Sequence, residues 1–361
     1  ISAHPSNKFL NFNDHNREKN IVIKSITLTA TAVAAIAAFS APVMAADYFA
    51  GKTITVQVPS GSGGTYHVYC QLVQRNIGNY IPGKPDVLIQ NMPGAGGAKS
   101  ASFMANVAPK GGEAIAMIAP GVITTQLVRK VRYDAQTFNW LGAPAARAAG
   151  IFFWHTAPIK NLDDLLNKNS TIASSGFASS GSIFPRLVNA TLKAKMKIIL
   201  GYKGGGAMNL SVEKGETQGR NNFLSGFTGV RPTWLPSKKI IPIIMYGPKS
   251  SSKFVKGVPH LGDLLKPGTD DFKMFTVLNT NLKVGQAFYI PPGAPKNVTG
   301  ILEKAFVAMM DDPKFKARVL KRRVEHSPVY AKEIRALIKV GFAAGTPEVL
   351  QLIKKRLYTK K

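Results

Sequence analysis

Three short stretches rich in glycine and serine, PSGSGGTYH (59–67), ASSGS (178–182) and YKGGG (202–206), combine residue types that can hold an anion without a charged side chain. Each follows a run that reads as a strand and opens a run that reads as a helix. Glycine lets the backbone fold so that free N–H groups converge, and the start of a helix adds partial positive charge at the same point. Ser60, Ser62 and Thr65 in the first stretch, and Ser179, Ser180 and Ser182 in the second, add hydroxyls. Such turns suit a carboxylate or a phosphate. A serine before a helix is also a common N-cap, so each stretch alone has a structural reading. Their joint occurrence is what points to a ligand.

A fourth stretch, QNMPGAGGAKSA (90–101), invites a nucleotide reading and fails it. A Walker loop needs glycine directly before its lysine, and Ala98 precedes Lys99; the dinucleotide fingerprint would need glycine at position 99. The catalytic inventory is thin. Past residue 45 the histidines are His67, His155, His260 and His326, and no HExxH, CxxC or G-x-S-x-G is present. His67 stands at a helix start, where it could meet an anion or be a solvated cap. Asp163-Asp164 and Asp270-Asp271 fit capping better than metal binding. No nucleophile is paired with a base, so no catalytic residue, metal site or cofactor is expected.

The elements that must position these turns follow from periodicity. TITVQV (53–58), DVLIQN (86–91) and EAIAMIA (113–119) read as strands, each followed by a glycine turn and an amphipathic stretch at helical spacing. A second series begins at IFFWH (151–155) and runs through TIASS, KIILGY, GRNNF and IIPIIMY. Alternation of this kind predicts parallel strands with crossover helices, an α/β architecture. The chain is expected to cross between two α/β lobes near 140–152 and 272–286. Residues 46–146 and 275–361 would form lobe 1 and 147–274 lobe 2, with a ligand cleft at the strand C-termini.

The chain of 361 residues opens with a segment to be set apart from the fold. Residues 21–45, IVIKSITLTATAVAAIAAFSAPVMA, place Lys24 before small apolar residues and end in a small-residue cleavage pattern, the form of a secretory signal peptide. Residues 1–20 read as translated upstream sequence, with a start near 21 or 22. A retained membrane anchor is the competing reading, opposed by the alanine and threonine content and by Pro42. The single cysteine, Cys70, allows no internal disulfide. A periplasmic, monomeric protein is the expectation. Of the formal charge of +28, residues 1–45 hold Lys8, Arg17, Lys19 and Lys24 against Asp14 and Glu18, which leaves +26 for the rest. Export, the even spread of lysines and the lack of interleaved aromatics argue against nucleic acid. The charge favours anionic ligands or surfaces.

KTITVQVPSGSGGTYHVY, VLIQNMPGAGGAKSASFMANVAPKGG, IFPRLVNA followed by GYKGGGAMNLSVEKGETQGR, and QAFYIPPGAPKNV resemble, in order, the extracytoplasmic binding receptors of the tripartite tricarboxylate transporters, the TctC or Bug group. The resemblance implies a type II periplasmic-binding-protein fold whose lobes close on a small mono-, di- or tricarboxylate. It implies delivery to membrane permease subunits of TctA/TctB type; a sensor partner of a membrane histidine kinase, or an enzyme on the same scaffold, are the alternatives. By motif, ligand loops fall at Ser60, Gly61, Ser62, Gly63, Gly64, Thr65 and Tyr66; at Pro120, Gly121 and Val122; at Ser179, Ser180, Gly181 and Ser182; and at Tyr202, Lys203, Gly204 and Gly205. PGAGG is implied to be a structural loop of the first lobe. His67, Ser180 and Gln218 stand where many relatives are acidic, which makes preference for an ammonium-bearing ligand doubtful.

Overall fold

Runs of β-branched and aliphatic residues form the strands of two sheets in the computed structural model, which describes residues 48–358. The expected signal segment at 21–45 and the residues before it lie outside the described residues. From Phe49 onward the chain forms one compact unit. Its elements run β1 (Thr53–Val58), α1 (Thr65–Gln74), β2 (Asp86–Asn91), α2 (Ala98–Asn106), β3 (Ala114–Met117), α3 (Pro120–Val128) and β4 (Asn139–Ala143). After the first crossing come β5 (Ala149–Trp154), α4 (Leu162–Asn167), β6 (Asn169–Ala173), α5 (Ser180–Leu192), β7 (Lys195–Ile199), α6 (Gly205–Glu213), β8 (Gly219–Phe223), α7 (Ser225–Thr228) and β9 (Ile240–Tyr246). The remainder is α8 (Leu261–Leu264), α9 (Asp270–Lys283), β10 (Phe288–Ile290), α10 (Lys296–Asp311), α11 (Pro313–Lys321), β11 (Val329–Tyr330), α12 (Ala331–Ala343) and α13 (Pro347–Ile353).

The first sheet has the order β11-β4-β10-β3-β1-β2 and the second β7-β6-β8-β5-β9. Parallel pairing holds for β2-β1-β3 and for β7-β6-β8. The expectation of parallel strands fails elsewhere: β10 is antiparallel to β3 and β4, and β5 is antiparallel to β8 and β9. These reversed strands adjoin the crossings, where the chain enters a sheet from the neighbouring lobe rather than over a crossover helix. Ile54, Val56 and Val58 of β1 are fully buried, whereas the edge strand β2 alternates exposed and half-buried positions.

Side chains divide between the lobes less simply than the chain does. A core of Met104, Ile118, Ile123, Trp140, Tyr289 and Ile338 fills the first lobe. The core on the second sheet contains Ile151, Ile172, Phe184 and Leu187, and also Phe275, Leu278 and Leu282 of α9 with Val349, Ile353 and Leu357 at the chain's end. Residues of the span 275–361, expected in lobe 1, therefore bury side chains against lobe 2. Helix α9 occupies the segment read from sequence as the second crossing. Thr269 caps it by accepting from the Phe272 N–H, and Asp270 and Asp271 complement the dipole of its first turn.

The crossings run side by side. Gln286 N–H donates to the Ala145 carbonyl at 2.7 Å, and Gly285, at φ +75°, packs so closely there that a Cβ would collide with the Ala145 carbonyl oxygen. The segment after α11 braces the first crossing: Ser327 N–H donates to Pro144 O at 3.0 Å, and Ala146 N–H donates to Ser327 Oγ at 3.0 Å.

Candidate functional site

The 59–64 and 202–206 turns meet backbone to backbone. Gly61 N–H donates to Lys203 O at 2.9 Å, so it is not a free donor for a ligand. A Cβ on Gly64 would stand 3.1 Å from Gly205 Cα and N, and one on Gly206 3.0 Å from Ser62 O. Behind this contact lie two helix starts whose N-caps, Gly64 for α1 and Gly204 for α6, offer no side-chain hydrogen bond. The first-turn N–H groups of a helix have no partner inside it, so both ends present donors and partial positive charge to the same space.

The opposite flank closes in a similar way. Gly96 adopts φ +70°, and a Cβ there would lie 2.5 Å from Ser179 N; a Cβ on Gly121 would overlap the Ala178 carbonyl oxygen. PGAGG is thus more than a turn within the first lobe: it abuts the serine turn of the second lobe. Between the flanks is a cavity of about 630 Å³, its open mouth included.

Of the residues expected from sequence, Ser60, Gly64, Thr65, Tyr66, Ser179, Ser180, Gly181, Tyr202, Lys203, Gly204 and Gly205 line this cavity. Gly61, Ser62, Gly63, Ser182, Pro120, Gly121 and Val122 do not. Ser182 is fully buried, pairing with Ser174 Oγ at 2.8 Å and donating to Gly176 O at 2.8 Å, so it shapes the turn from behind. Pro120 to Val122 form the buried first turn of α3 and support the Ala178 contact. Ser179 caps its own helix by accepting from Gly181 N–H at 3.0 Å.

The charge departures noted in the sequence lie outside the cavity in two of three cases. His67 is half-buried, with Nδ1 3.3 Å from Asn91 Nδ2, and burial moves its pKa down, toward the neutral ring. Gln218 cross-links the second sheet: its Oε1 accepts from Thr171 N–H at 3.0 Å, and its own N–H donates to Thr171 Oγ1 at 3.0 Å.

Sequence reasoning missed Pro59, Gly94, Gly96, Gly97, Ser175, Met208, Arg220, Asn221, Asn222 and Phe223, all of which line the cavity. Four of them belong to GRNNF, the strand β8, whose arginine and two asparagines the structure buries along with the rest of the strand. Arg220 is 4% exposed. Its Nη1 donates to Gly205 O and Asn209 Oδ1, both at 2.7 Å, its Nη2 to Asn222 Oδ1 and its Nε to Asn221 O, both at 3.2 Å. Burial brings its pKa down to about 9, so it is still protonated at neutral pH.

A second buried arginine, Arg147, lies beneath the wall formed by Tyr66 and Phe223, 5.3 Å and 5.1 Å from the two ring centroids. Burial raises the Tyr66 phenol pKa against the pull of Arg147 and a hydrogen bond with Ser180. Among the described residues no cluster of three or more His, Cys, Asp or Glu could hold a metal. The site can surround a small anion with amides, hydroxyls and a guanidinium, and offers aromatic and methionine surface to a hydrocarbon chain.

No protein-family model matches the chain. It is similar to a UPF0065 protein from the gbd 5′ region of Cupriavidus necator, 24% identical over 317 residues that cover 86% of this chain and 90% of that one. Among solved structures it is similar to the periplasmic binding protein BugD, with TM-score 0.68 and 19% identity over 84% of this chain and 97% of that one. MatC of Rhodopseudomonas palustris with bound malate gives TM-score 0.67 and 18% identity over 83% and 99%. The chain has the fold of the periplasmic binding proteins, two α/β lobes around a cleft. The resemblance to the TctC or Bug group read from its loops is matched by these relatives.

Proposed function

We propose that this protein is a periplasmic receptor of the TctC or Bug kind. It captures a small organic carboxylate and delivers it to a permease of TctA/TctB type, after export through the signal segment at 21–45. The observation that carries this reading is the meeting of the uncapped starts of α1 and α6 over a cavity to which, among the described residues, no aspartate or glutamate contributes. Donors fixed in this way recognise a carboxylate through its charge and lone pairs, and closure of the turns removes it from water. MatC, with malate bound, supports the ligand class. The binding proteins among its relatives support capture rather than catalysis.

The test is a thermal-shift screen of mono-, di- and tricarboxylates on protein recovered from the periplasm, whose N-terminus should lie near Ala46. At least one acid should raise the melting temperature, and cells lacking the permease subunits should fail to take it up. Stabilisation only by neutral or cationic compounds would overturn the reading of the site.

A further inference from the structure

Among the described residues, Arg220 is the only arginine lining the cavity, and none of their ion pairs includes it. We propose that Arg220 determines specificity in the cleft, pairing its guanidinium with a carboxylate of the ligand and so selecting acids that carry no ammonium group. This rests on the carboxylate-receptor reading above and adds to it the residue that sets charge preference.

The residue sits in β8, in register with Ala173 of β6, directly behind the 202–206 turn. Its Nη1 and Nη2 would each lie 3.8 Å from a Cβ built on Gly205, the residue at the start of α6. Four neutral acceptors hold the guanidinium in a fixed orientation. Of its five N–H donors, one on Nη2 remains for a ligand. Neutral acceptors satisfy hydrogen bonds without cancelling charge, and a buried charge with no counter-ion is strongly unfavourable. A ligand carboxylate restores the balance and gains a charge-assisted hydrogen bond from the remaining Nη2 N–H.

The same arrangement discriminates against a second class of ligand. An ammonium group in this cavity would face Arg220 and two positive helix starts, with no acidic side chain in the lining to receive it. Repulsion at low effective dielectric then acts against the wrong ligand rather than for the right one. Tyr66, Met208 and Phe223 provide apolar contact for the carbon chain between polar groups.

A purely structural Arg220 would brace the α6 turn through Gly205 and Asn209 and leave charge preference elsewhere. Titration calorimetry on pairs matched in size separates the two roles: malate with aspartate, glutarate with glutamate, and adipate with 6-aminohexanoate. For the pair that binds, wild type should prefer the ammonium-free acid, and Arg220→Gln should weaken that acid by about thirtyfold or more. The preference should shrink in Arg220→Gln and be largely kept in Arg220→Lys, with both variants melting cooperatively. Equal weakening of both members, or a wild-type preference for the ammonium-bearing member, would overturn the assignment while leaving the receptor reading intact. Failure of every carboxylate to bind wild type would instead overturn the receptor reading itself, and this inference with it.

Discussion

At Gly64 any side chain would stand 3.1 Å from the backbone of Gly205, and an acidic one would place negative charge where two helix starts point. Gly64→Asp should therefore lower affinity for the best acid at least tenfold, about 1.4 kcal/mol, with little loss of folding. Gly96→Ala should also weaken binding, for a different reason: its φ of +70° strains alanine, and the new methyl would press on Ser179 N and hold the flank open. Gly215→Ala supplies the control, since Gly215 shares a positive φ but meets nothing within 4 Å and lies outside the cavity. Calorimetry should show lost affinity in the first two and none in the third. Gly64 was legible in the sequence because glycines crowd there before a helix start, whereas Gly96, in a loop read as structural, was not. Arg220 was not, because an arginine inside a short strand looks like an exposed edge residue until the opposite face is seen to be covered.

Elements whose sequence keeps one period along their length were read correctly, as β1, β2 and α1 illustrate. Helix α9 was missed: its Asp-Asp start and polar Thr276, Asn279, Thr280 and Asn281 look like a linker, yet several of these polar residues are buried in the completed fold. Strand β10, three residues long, runs antiparallel between β3 and β4, a placement that no local signal conveys. The segment between α11 and β11 gives a prediction at this scale. It braces the first crossing, accepts a hydrogen bond from Tyr69 Oη at the Glu325 carbonyl at 2.8 Å, and half-buries Glu325, whose pKa is raised by desolvation from 4.5 to about 7. A raised carboxylate pKa means that the folded state holds its proton where the unfolded state has lost it, so stability falls as pH rises from about 4.5 to 7. Glu325→Gln should melt above wild type at pH 8, by an amount on the order of 3 kcal/mol at most, with the gap narrowing steadily toward pH 5. His67 and His326 have lowered pKa values and remove stability in acid, but they do so in both proteins and cancel in the comparison. A gap that does not change with pH would place the Glu325 carboxylate in water.

For the whole molecule, the charge of +26 beyond residue 45 acts over distances comparable to the Debye length, about 10 Å at 0.1 M salt. It should speed the arrival of anions and matter little once they are enclosed. Stopped-flow titrations from low to high salt should show association slowing while dissociation changes much less. Dissociation that accelerates steeply with salt would mean that exposed lysines hold the ligand. The two-lobe plan was legible from the repeated strand, turn and helix units; the reversed strands and the return of the chain's end to the second lobe were not, since both depend on contacts between distant segments.

The closing surfaces described above are largely backbone: Gly61 on Lys203, Gly64 on Gly205, Gly96 on Ser179. The groups able to distinguish one acid from another, Ser180, Met208, Arg220, Asn222 and Phe223, are side chains set among them. Closure and discrimination thus rest on different atoms. Side chains can therefore be exchanged while the jaws keep working, and an engineer could alter ligand preference by rewriting β8 together with Ser180 and Met208.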